Sequence, residues 1–339
     1  MAPADVDSPA GAPRAGEARR RRQSWWGAKR HVKRAVSLPG VSPAAHAVLA
    51  RRSGAVAAAR LPVPLTVRRV TARVGGQEFT MLDPSRCVVA KELYWGGGRR
   101  PAGADHLALE AFAALAPSAR TVVDVGAYTG VFSLLGALAA PSARVVAVEL
   151  VPANAVALLD NLLANDLLPR VEVHLAGVGR DGGTLRVPSG RGGSALPDFL
   201  SVESEAADGV LVPTRSLDAL LTGGGAAPDG GGGPVREGLG PALVKVDVEG
   251  AEVEVLGSGR RFLEATRPDL LLELLPAADV PGVERALQGL GLRAYLVTDD
   301  ALVEHARPHA DARHRDWLLT PRAGGELAAL GLPVVPLGG

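Results

Sequence analysis

The middle of the sequence alternates short apolar runs with stretches whose apolar residues recur at helical spacing, and this limits the fold more than any other feature. Such apolar runs are typical of parallel strands that are buried on both faces and connected by helices. We therefore predict an α/β fold with a Rossmann-like, mainly parallel seven-stranded sheet and helices on both faces. The predicted strands are 121–125, 144–148, 171–176, 243–248, 269–274, 292–297 and 317–320. The predicted helices between them are 129–139, 152–165, 251–265 and 280–290.

The composition excludes several classes of protein. Cys87 is the single cysteine, so neither an internal disulfide framework nor a thiolate-rich zinc site is available. The net charge of +1 gives no overall attraction to nucleic acid, and we expect no stable nucleic-acid partner. The longest apolar stretch, 131–140, is too short to span a membrane. The basic run Arg19–Arg22 has no apolar region after it, so no secretory signal is visible and we expect a cytoplasmic protein.

The chain divides by composition into four parts. Residues 1–60 are basic and rich in Pro, Ala and Gly, and they hold so few large apolar residues that we expect them to be mostly disordered. Residues 61–118 are expected to supply lead-in strands and a helix capped by Asp105. The main domain, 119–325, carries a Gly-rich insertion at 223–240 that is typical of a mobile linker. Residues 326–339 are interpreted as a tail.

Glycines and an acidic residue follow the first two predicted strands. The loop after the first strand contains Asp124, Gly126, Ala127, Tyr128 and Gly130. Its glycines let the backbone turn tightly and pass close to a ligand, and a helix N-terminus follows. Glu149 ends the second strand about twenty residues later, which is the interval at which a carboxylate reaches ribose hydroxyls. Because ligands of open parallel sheets bind at the carboxyl ends of the strands, these residues predict a nucleoside-binding cleft.

The chemistry of the loop narrows the choice of nucleoside. A dinucleotide site needs a glycine in the middle of the loop so that pyrophosphate can approach the backbone, and Tyr128 stands there instead. No Gly-Lys-Ser or Gly-Lys-Thr follows the strand, which excludes a P-loop. S-adenosylmethionine has no phosphate and carries an ammonium and a sulfonium group, so the acidic Asp124 suits it better. The residues therefore favour S-adenosylmethionine as the cofactor.

Several stretches of the sequence resemble the motifs of FkbM-type methyltransferases. Residues 124–133 resemble the first motif, in which Tyr128 replaces the usual Asn, and residues 148–154, which end in Asn154, resemble the second. The stretch 245–256, with the pattern Lys-x-Asp-x-Glu-Gly-Ala-Glu, resembles the most distinctive motif. Residues 268–273 and 316–321 resemble the closing segments, so the likeness extends over residues 90–322. The resemblance implies a class I methyltransferase fold that binds S-adenosylmethionine, with Asn154 among the cofactor-binding residues.

The resemblance also implies transfer of a methyl group to a hydroxyl of a small molecule, such as a natural product or a sugar-like acceptor. An alcohol does not ionise unaided at neutral pH, so a carboxylate or a metal ion must lie beside it. Asp247, Glu249 and Glu273 lie at the ends of predicted strands and are the candidate catalytic residues, with Asp247 as the proton acceptor. We assign no metal ligand, but leave open a Mg²⁺ ion between Asp247 and Glu273, because oxygen ligands suit it. Glu252 either shapes the pocket or charges the first turn of the next helix.

Two expectations concern residues inside the predicted sheet. Lys245 lies within a buried strand and therefore needs a charged partner, for which we expect Asp124 or Glu273. Replacement of Gly126 by Val is expected to block the cleft while leaving the fold largely intact.

Two other functions remain open from the sequence. A nicotinamide-dependent oxidoreductase uses the same kind of sheet, although Tyr128 and the pattern Asp247-x-Glu249 argue against it. An RNA-binding or RNA-modifying methyltransferase would use the basic N-terminal segment. Neither the acceptor nor the oligomeric state can be derived from the residues.

Overall fold

The computed structural model describes residues 34–101, 106–188, 209–222 and 238–338. Three predictions fall wholly or partly outside these ranges. They concern the first 33 residues of the segment predicted to be disordered, the helix cap Asp105, and residues 223–237 of the Gly-rich insertion.

The first described elements are helices and a hairpin that pack beside the main sheet. In chain order they are α1 (Val41–Ala58), β1 (Arg69–Val74), β2 (Gln77–Leu82), α2 (Val88–Trp95) and α3 (His106–Leu115). Strands β1 and β2 pair antiparallel, and α3 agrees with the predicted lead-in helix, whereas α2 was not predicted. Helix α1 shows that the prediction of disorder was wrong for residues 41–58. The alanines of this stretch favour a helix even though few of its residues are buried.

Twelve further strands follow among the described residues. They are β3 (Thr121–Val125), β4 (Arg144–Glu149), β5 (Val171–Leu175), β6 (Gly177–Val178), β7 (Thr184–Pro188), β8 (Gly209–Arg215), β9 (Ala242–Val246), β10 (Asp269–Glu273), β11 (Arg293–Val297), β12 (Leu302–His305), β13 (Asp316–Thr320) and β14 (Val334–Val335). Strands β6, β8 and β7 form a small separate sheet in that order.

The main sheet confirms the predicted architecture and corrects its strand count. Its order is β14-β12-β11-β13-β10-β9-β3-β4-β5, and the five strands from β10 to β5 are parallel to one another. Strand β13 runs antiparallel between β10 and β11. The sheet has nine strands rather than seven, because β12 and β14 extend it at one edge. Both are short, and β14 lies in the stretch that was interpreted as a tail.

Helices cover both faces of the sheet. The remaining helices are α4 (Val131–Ala139), α5 (Pro152–Leu163), α6 (Leu217–Thr222), α7 (Glu252–Ser258), α8 (Arg260–Thr266), α9 (Val280–Leu287) and α10 (Gly324–Ala329). Alternate residues of each central strand enter two separate apolar clusters, so that Val122 packs on one face and Val123 on the other. The predicted helix 251–265 is divided at Gly259 into α7 and α8. None of the helices in the described ranges has the length and apolar character that crossing a bilayer requires.

The stretch predicted to be a tail, 326–339, is part of the folded domain as far as residue 338. Helix α10 contributes the fully buried Leu327 to the same apolar cluster as α3 and α4. Strand β14 then pairs with β12 through Leu302 and Val334. The sequence of this end is short and rich in Gly and Pro, so its periodicity was too brief to predict either element.

Two asparagines join the N-terminal hairpin to helix α5. Asn165 accepts a hydrogen bond from the N–H of Thr80 at 2.7 Å and donates one to the carbonyl oxygen of Thr80 at 2.8 Å. Asn161, which is 2% exposed, accepts from the N–H of Leu82 at 2.8 Å and donates to the carbonyl oxygen of Thr129 at 2.8 Å. The two side-chain amides therefore form hydrogen bonds with the backbone groups on the outer edge of β2, where another strand would otherwise pair.

We expect Asn161→Ala to destabilise the protein by about 2–4 kcal/mol, because it removes the partners of the half-buried N–H of Leu82 and of the buried carbonyl oxygen of Thr129. Urea unfolding of the purified variant measures this free energy. Asp160→Ala, on the exposed side of the same helix, is the matched control and should change stability by less than about 0.5 kcal/mol. Equal effects of the two substitutions would show that the amide bridge is unimportant.

Candidate active site

A cavity of about 370 Å³ opens at the carboxyl ends of β3, β4, β9 and β10. It is lined by the loops that follow these strands, by the start of α2, and by the β5–β6 connection. Seven of the ten residues predicted for cofactor binding or catalysis line it: Gly126, Tyr128, Glu149, Asn154, Asp247, Glu249 and Glu273. Asp124, Ala127 and Gly130 do not.

The loops after β3 and β9 touch each other at Gly126. This glycine has a φ of 79°, and a Cβ atom there would lie 1.8 Å from the carbonyl oxygen of Asp247. Neighbouring backbone bonds fix the contact, since Asp247 donates its N–H to the carbonyl oxygen of Val125 at 3.0 Å. Only glycine fits this position, because any side chain would push the two loops apart.

Each of the two loops also holds a larger residue in the left-handed region. Tyr128 has a φ of 49° and Glu249 a φ of 54°. This conformation costs about 1–2 kcal/mol for a residue with a side chain. Residues held in such strained conformations cluster at ligand sites, so the pair of loops is a suitable place for one.

Glu149 fixes the shape of the first loop from the neighbouring strand. Its Oε2 accepts a hydrogen bond from the N–H of Tyr128 at 2.7 Å, and its Oε1 accepts one from the N–H of Val151 at 2.7 Å. The side-chain amide of Asn154 lies 3.4 Å from Oε1. Burial raises the pKa of Glu149 to about 7, although these donors favour the charged form. The carboxyl group therefore changes its charge close to neutral pH.

Asp124 lies below the loop rather than in the cavity. It is 1% exposed, and its carboxylate accepts a hydrogen bond of 2.6 Å from the hydroxyl of Ser133 in the first turn of α4. Burial raises its pKa to about 6, opposed by Ser133 and by the charge of Lys245. Asp124 thus joins the end of β3 to the start of the next helix.

Three carboxyl groups face the cavity from the other side. One oxygen from each of Asp247, Glu249 and Glu273 lies within 4.8 Å of the others. Asp247 and Glu273 share a hydrogen bond. Burial, together with the neighbouring charge of Asp247, raises the pKa of Glu273 to about 9, so Glu273 carries the shared proton at neutral pH. Burial opposes the charged form of Asp247, but the ammonium of Lys245, the hydrogen bond from Glu273 and the charge of Arg100 together outweigh burial and lower the pKa of Asp247, which stays ionised.

Lys245 has different partners from those we expected. Its Nζ lies 3.1 Å from Oδ1 of Asp316 and 3.7 Å from Oδ2 of Asp247; its charge also acts on the expected partners Asp124 and Glu273, which form no close ion pair with it in the described part of the chain. Asp316 begins β13, and β13 runs antiparallel to β10, so Asp316 lies opposite Glu273 at the same edge of the sheet. The sequence prediction missed this pairing because it depends on the direction of a strand far away in the chain.

The three carboxyl groups do not fit a Mg²⁺ ion in this arrangement. Oxygen ligands suit the ion chemically. However, the ammonium of Lys245 lies 3.7 Å from Asp247 and would compete with a metal ion for it, and Glu273 holds a proton that a metal would have to displace. The ammonium of Lys245 would repel a divalent ion bound by Asp247, because its Nζ lies close to that carboxylate.

The sequence prediction missed one other residue near the site, Arg100, and misplaced another, Glu252. Arg100 lies close enough to Asp247 to lower its pKa, and it also binds Glu92 through two hydrogen bonds of 3.0 and 2.7 Å. No spacing pattern marks Arg100 as part of a site. Glu252 does not line the cavity: it is 2% exposed and accepts a hydrogen bond of 2.8 Å from the N–H of Gly250, so it shapes the turn below.

The contact at Gly126 corrects the expectation that a larger residue leaves the fold intact. We expect even Gly126→Ala to destabilise the protein by more than about 3 kcal/mol, because the new Cβ overlaps the backbone of Asp247. Gly76→Ala is the matched control, since Gly76 has a φ of 76° and no atom within 4 Å of a Cβ; it should cost about 1–2 kcal/mol. Chemical unfolding distinguishes them, and a similar loss for both would show that the loops tolerate the overlap.

The chain is similar to several solved structures. They include the methyltransferase FkbM from Methylobacillus flagellatus KT, which is 19% identical with a TM-score of 0.38 over 60% of this chain and 44% of that chain. The cofactor-bound Rv0187 from MTB is 18% identical with a TM-score of 0.33 over 65% of this chain and 81% of that one. The O-methyltransferase TomG from Streptomyces achromogenes is 18% identical with a TM-score of 0.34 over 62% and 78%.

The chain thus spans less than half the length of the Methylobacillus flagellatus protein. No curated protein matches the sequence. The sequence profile of the methyltransferase FkbM domain matches residues 124–296, which are slightly more than half of the chain and include both loops of the cavity. On this match the protein belongs to the FkbM family of S-adenosylmethionine-dependent methyltransferases.

Proposed function

We propose that the chain transfers the methyl group of S-adenosylmethionine to a hydroxyl of a small-molecule acceptor, such as a natural product or a sugar-like compound. One observation carries the proposal: the cavity is lined by the loop of Gly126 on one side and by the Asp247–Glu273 pair on the other. A donor-binding loop and a proton acceptor therefore face the same space. Small-molecule sites occupy about 300–1,000 Å³, and this cavity lies within that range.

The donor side suits a nucleoside that carries no phosphate. The N–H of Tyr128 is bound to Glu149 and is not directed at a phosphate. Each carboxylate oxygen accepts about two hydrogen bonds, so Glu149 keeps capacity for ribose hydroxyls beside the protein donors it already serves. We assign ribose recognition to Glu149 and Asn154, and the walls of the donor site to Gly126 and Tyr128.

The three remaining candidates act behind this surface. Asp124 holds the start of α4 through Ser133. Ala127 and Gly130 complete the turn: the N–H of Ala127 donates to Val148 at 3.0 Å, and a Cβ on Gly130 would lie 2.2 Å from the side chain of Leu158. We therefore assign them the support of the donor loop rather than contact with the donor.

The acceptor side suits removal of a proton from a hydroxyl. When bound, S-adenosylmethionine supplies a sulfonium methyl group, whose C–S bond breaks as a C–O bond forms and leaves a neutral thioether. Asp247 accepts the proton of the hydroxyl, because its carboxylate is ionised and its side chain is 39% exposed to the cavity. Glu273, which keeps its own proton, cannot act as the base but holds Asp247 in place. Glu249 lines the entrance beside them.

A nicotinamide-dependent oxidoreductase is not favoured by the site. Pyrophosphate binding requires a glycine at the loop position that Tyr128 occupies. In addition, the family profile that matches the chain is that of a methyltransferase. An RNA-modifying activity would depend on the basic residues 14–34, nearly all of which lie outside the described ranges. We further propose a cytoplasmic location, supported by Cys87, which is a buried free thiol of the kind that a reducing compartment maintains.

We expect Asp247→Asn to reduce kcat by about 10²–10⁴-fold while changing the affinity for S-adenosylmethionine by less than about threefold, because the amide keeps the shape but cannot accept the proton. Calorimetric titration measures the affinity, and a methyl-transfer screen against hydroxylated metabolites and sugars supplies the acceptor for kcat. Asp300→Asn, at an exposed position, is the control. Full activity of the Asp247 variant would rule out this residue as the base.

The affinity for S-adenosylmethionine should depend on the charge of Glu149. Its pKa of about 7 lies above the ordinary value, so the ionised form that accepts ribose hydroxyls grows as the pH rises. Between pH 6 and 8 we expect wild-type affinity to increase about tenfold relative to Glu149→Gln, since that is the change in ionised fraction across the pKa. Calorimetry of both proteins at matched pH cancels the titration of the ligand itself. A constant ratio would refute this role.

A further inference from the structure

We propose that the ammonium of Lys245, held in place by Asp316, is a built-in cation beside the carboxylate of Asp247, so that methyl transfer by this chain needs no divalent metal ion. Its catalytic part rests on the function proposed above, with Asp247 as the base. Its electrostatic part can be tested without any acceptor.

The sheet fixes the position of Lys245. Strand β9 lies between β3 and β10, and Lys245 stands opposite Asp124 on one side and opposite Leu271 on the other. Lys245 lies two residues before Asp247, and alternate residues of a strand point to the same face, so the lysine projects on the side of the cavity carboxylates. Its Nζ reaches Asp316 at 3.1 Å and Asp247 at 3.7 Å. Asp316 thus ties the ammonium to the edge of the sheet at which the acceptor carboxyl groups lie.

The surroundings keep this lysine charged. It is 3% exposed, and its Nζ lies 5.6 Å from the centre of the Phe132 ring, where a cation is favoured. Burial alone would lower the pKa of Lys245, but the charges of Asp316 and Asp247 outweigh burial and raise it. These contacts favour the charged ammonium over the neutral amine.

Cations of the protein already lie close to Asp247 at this edge. Asp316 and Asp247 are the two carboxylates that contact Lys245, and Glu273 carries a proton on its hydrogen bond to Asp247. Arg100 also faces Asp247, and its own charge is matched by Glu92 at 2.7 Å. A divalent ion bound by Asp247 would have to lie against this ammonium, which opposes binding.

Removal of the ammonium should therefore create a metal site. Lys245→Met keeps a side chain of similar length but leaves Asp247, Asp316 and Glu273 close together with no cation between them. Carboxylates crowded in this way gain by binding Mg²⁺ or Mn²⁺. A purely structural role for Lys245 would predict lower stability but no new affinity for metal.

The first test uses the wild-type protein treated with EDTA, loaded with S-adenosylhomocysteine and titrated calorimetrically with MgCl₂ and then MnCl₂. We expect the wild-type protein to show no more metal-binding heat than Asp247→Asn does. We also expect the same kcat with and without EDTA. Binding that Asp247→Asn abolishes, or loss of activity in EDTA with recovery in MgCl₂, would overturn the proposal. The titration requires no acceptor, so it decides the matter even if methyl transfer to a hydroxyl is not found.

The second test uses Lys245→Met, with Lys91→Met as the control because Lys91 lies on α2 and does not line the cavity. We expect kcat to fall about 100-fold and to recover about tenfold in MgCl₂, with a dissociation constant for Mg²⁺ of about 1 mM. The control should show none of these changes. A folded Lys245→Met protein that binds no metal, or that keeps full activity, contradicts the proposal. If this variant does not fold, the wild-type titration alone decides.

Discussion

The contact between Gly126 and the carbonyl oxygen of Asp247 brings the two sides of the cleft together. Parallel strands β3 and β9 are neighbours, so the loops that leave them must either diverge or touch, and a residue without Cβ lets them touch. The donor loop and the carboxylate that we assign as base consequently share one backbone contact. Neither can move far without the other, and this fixes the relation between the two reacting groups more firmly than separate loops would.

Burial then sets the charges along this edge. Glu149, Asp124 and Glu273 all have a raised pKa, and burial is the largest cause in each case. Asp247 differs because Lys245 lies close to it. The similar carboxyl groups at this edge thereby differ: Asp247, which we propose as the proton acceptor, stays ionised, Glu273 holds a proton, and Glu149 and Asp124 accept hydrogen bonds that order the loop and the start of α4. The residue types alone do not distinguish these carboxyl groups. The burial of each group and the charges next to it do.

The sequence allowed prediction of the strands that are long, apolar and periodic, and of the residues directly after them, because those positions meet at one edge of any parallel sheet. It did not allow prediction of β12 and β14, which are too short to show a period. It did not predict Asp316 as the nearest partner of Lys245, because Asp316 reaches the site only through an antiparallel strand inserted into the sheet. Asp124 was expected in the cleft, and its depth could not be derived from a motif.

The bridge made by Asn161 links the hairpin to the donor loop, because one amide contacts both Leu82 and Thr129. The family profile starts at residue 124, well after the hairpin. A protein trimmed to the matched segment would lose the partner of Asn161 and uncover the apolar side of α4 and α5 that Phe79 and Met81 now shield. The boundaries of the homologous region are therefore not the boundaries of the smallest piece that can fold, and expression of the catalytic unit needs the upstream hairpin included.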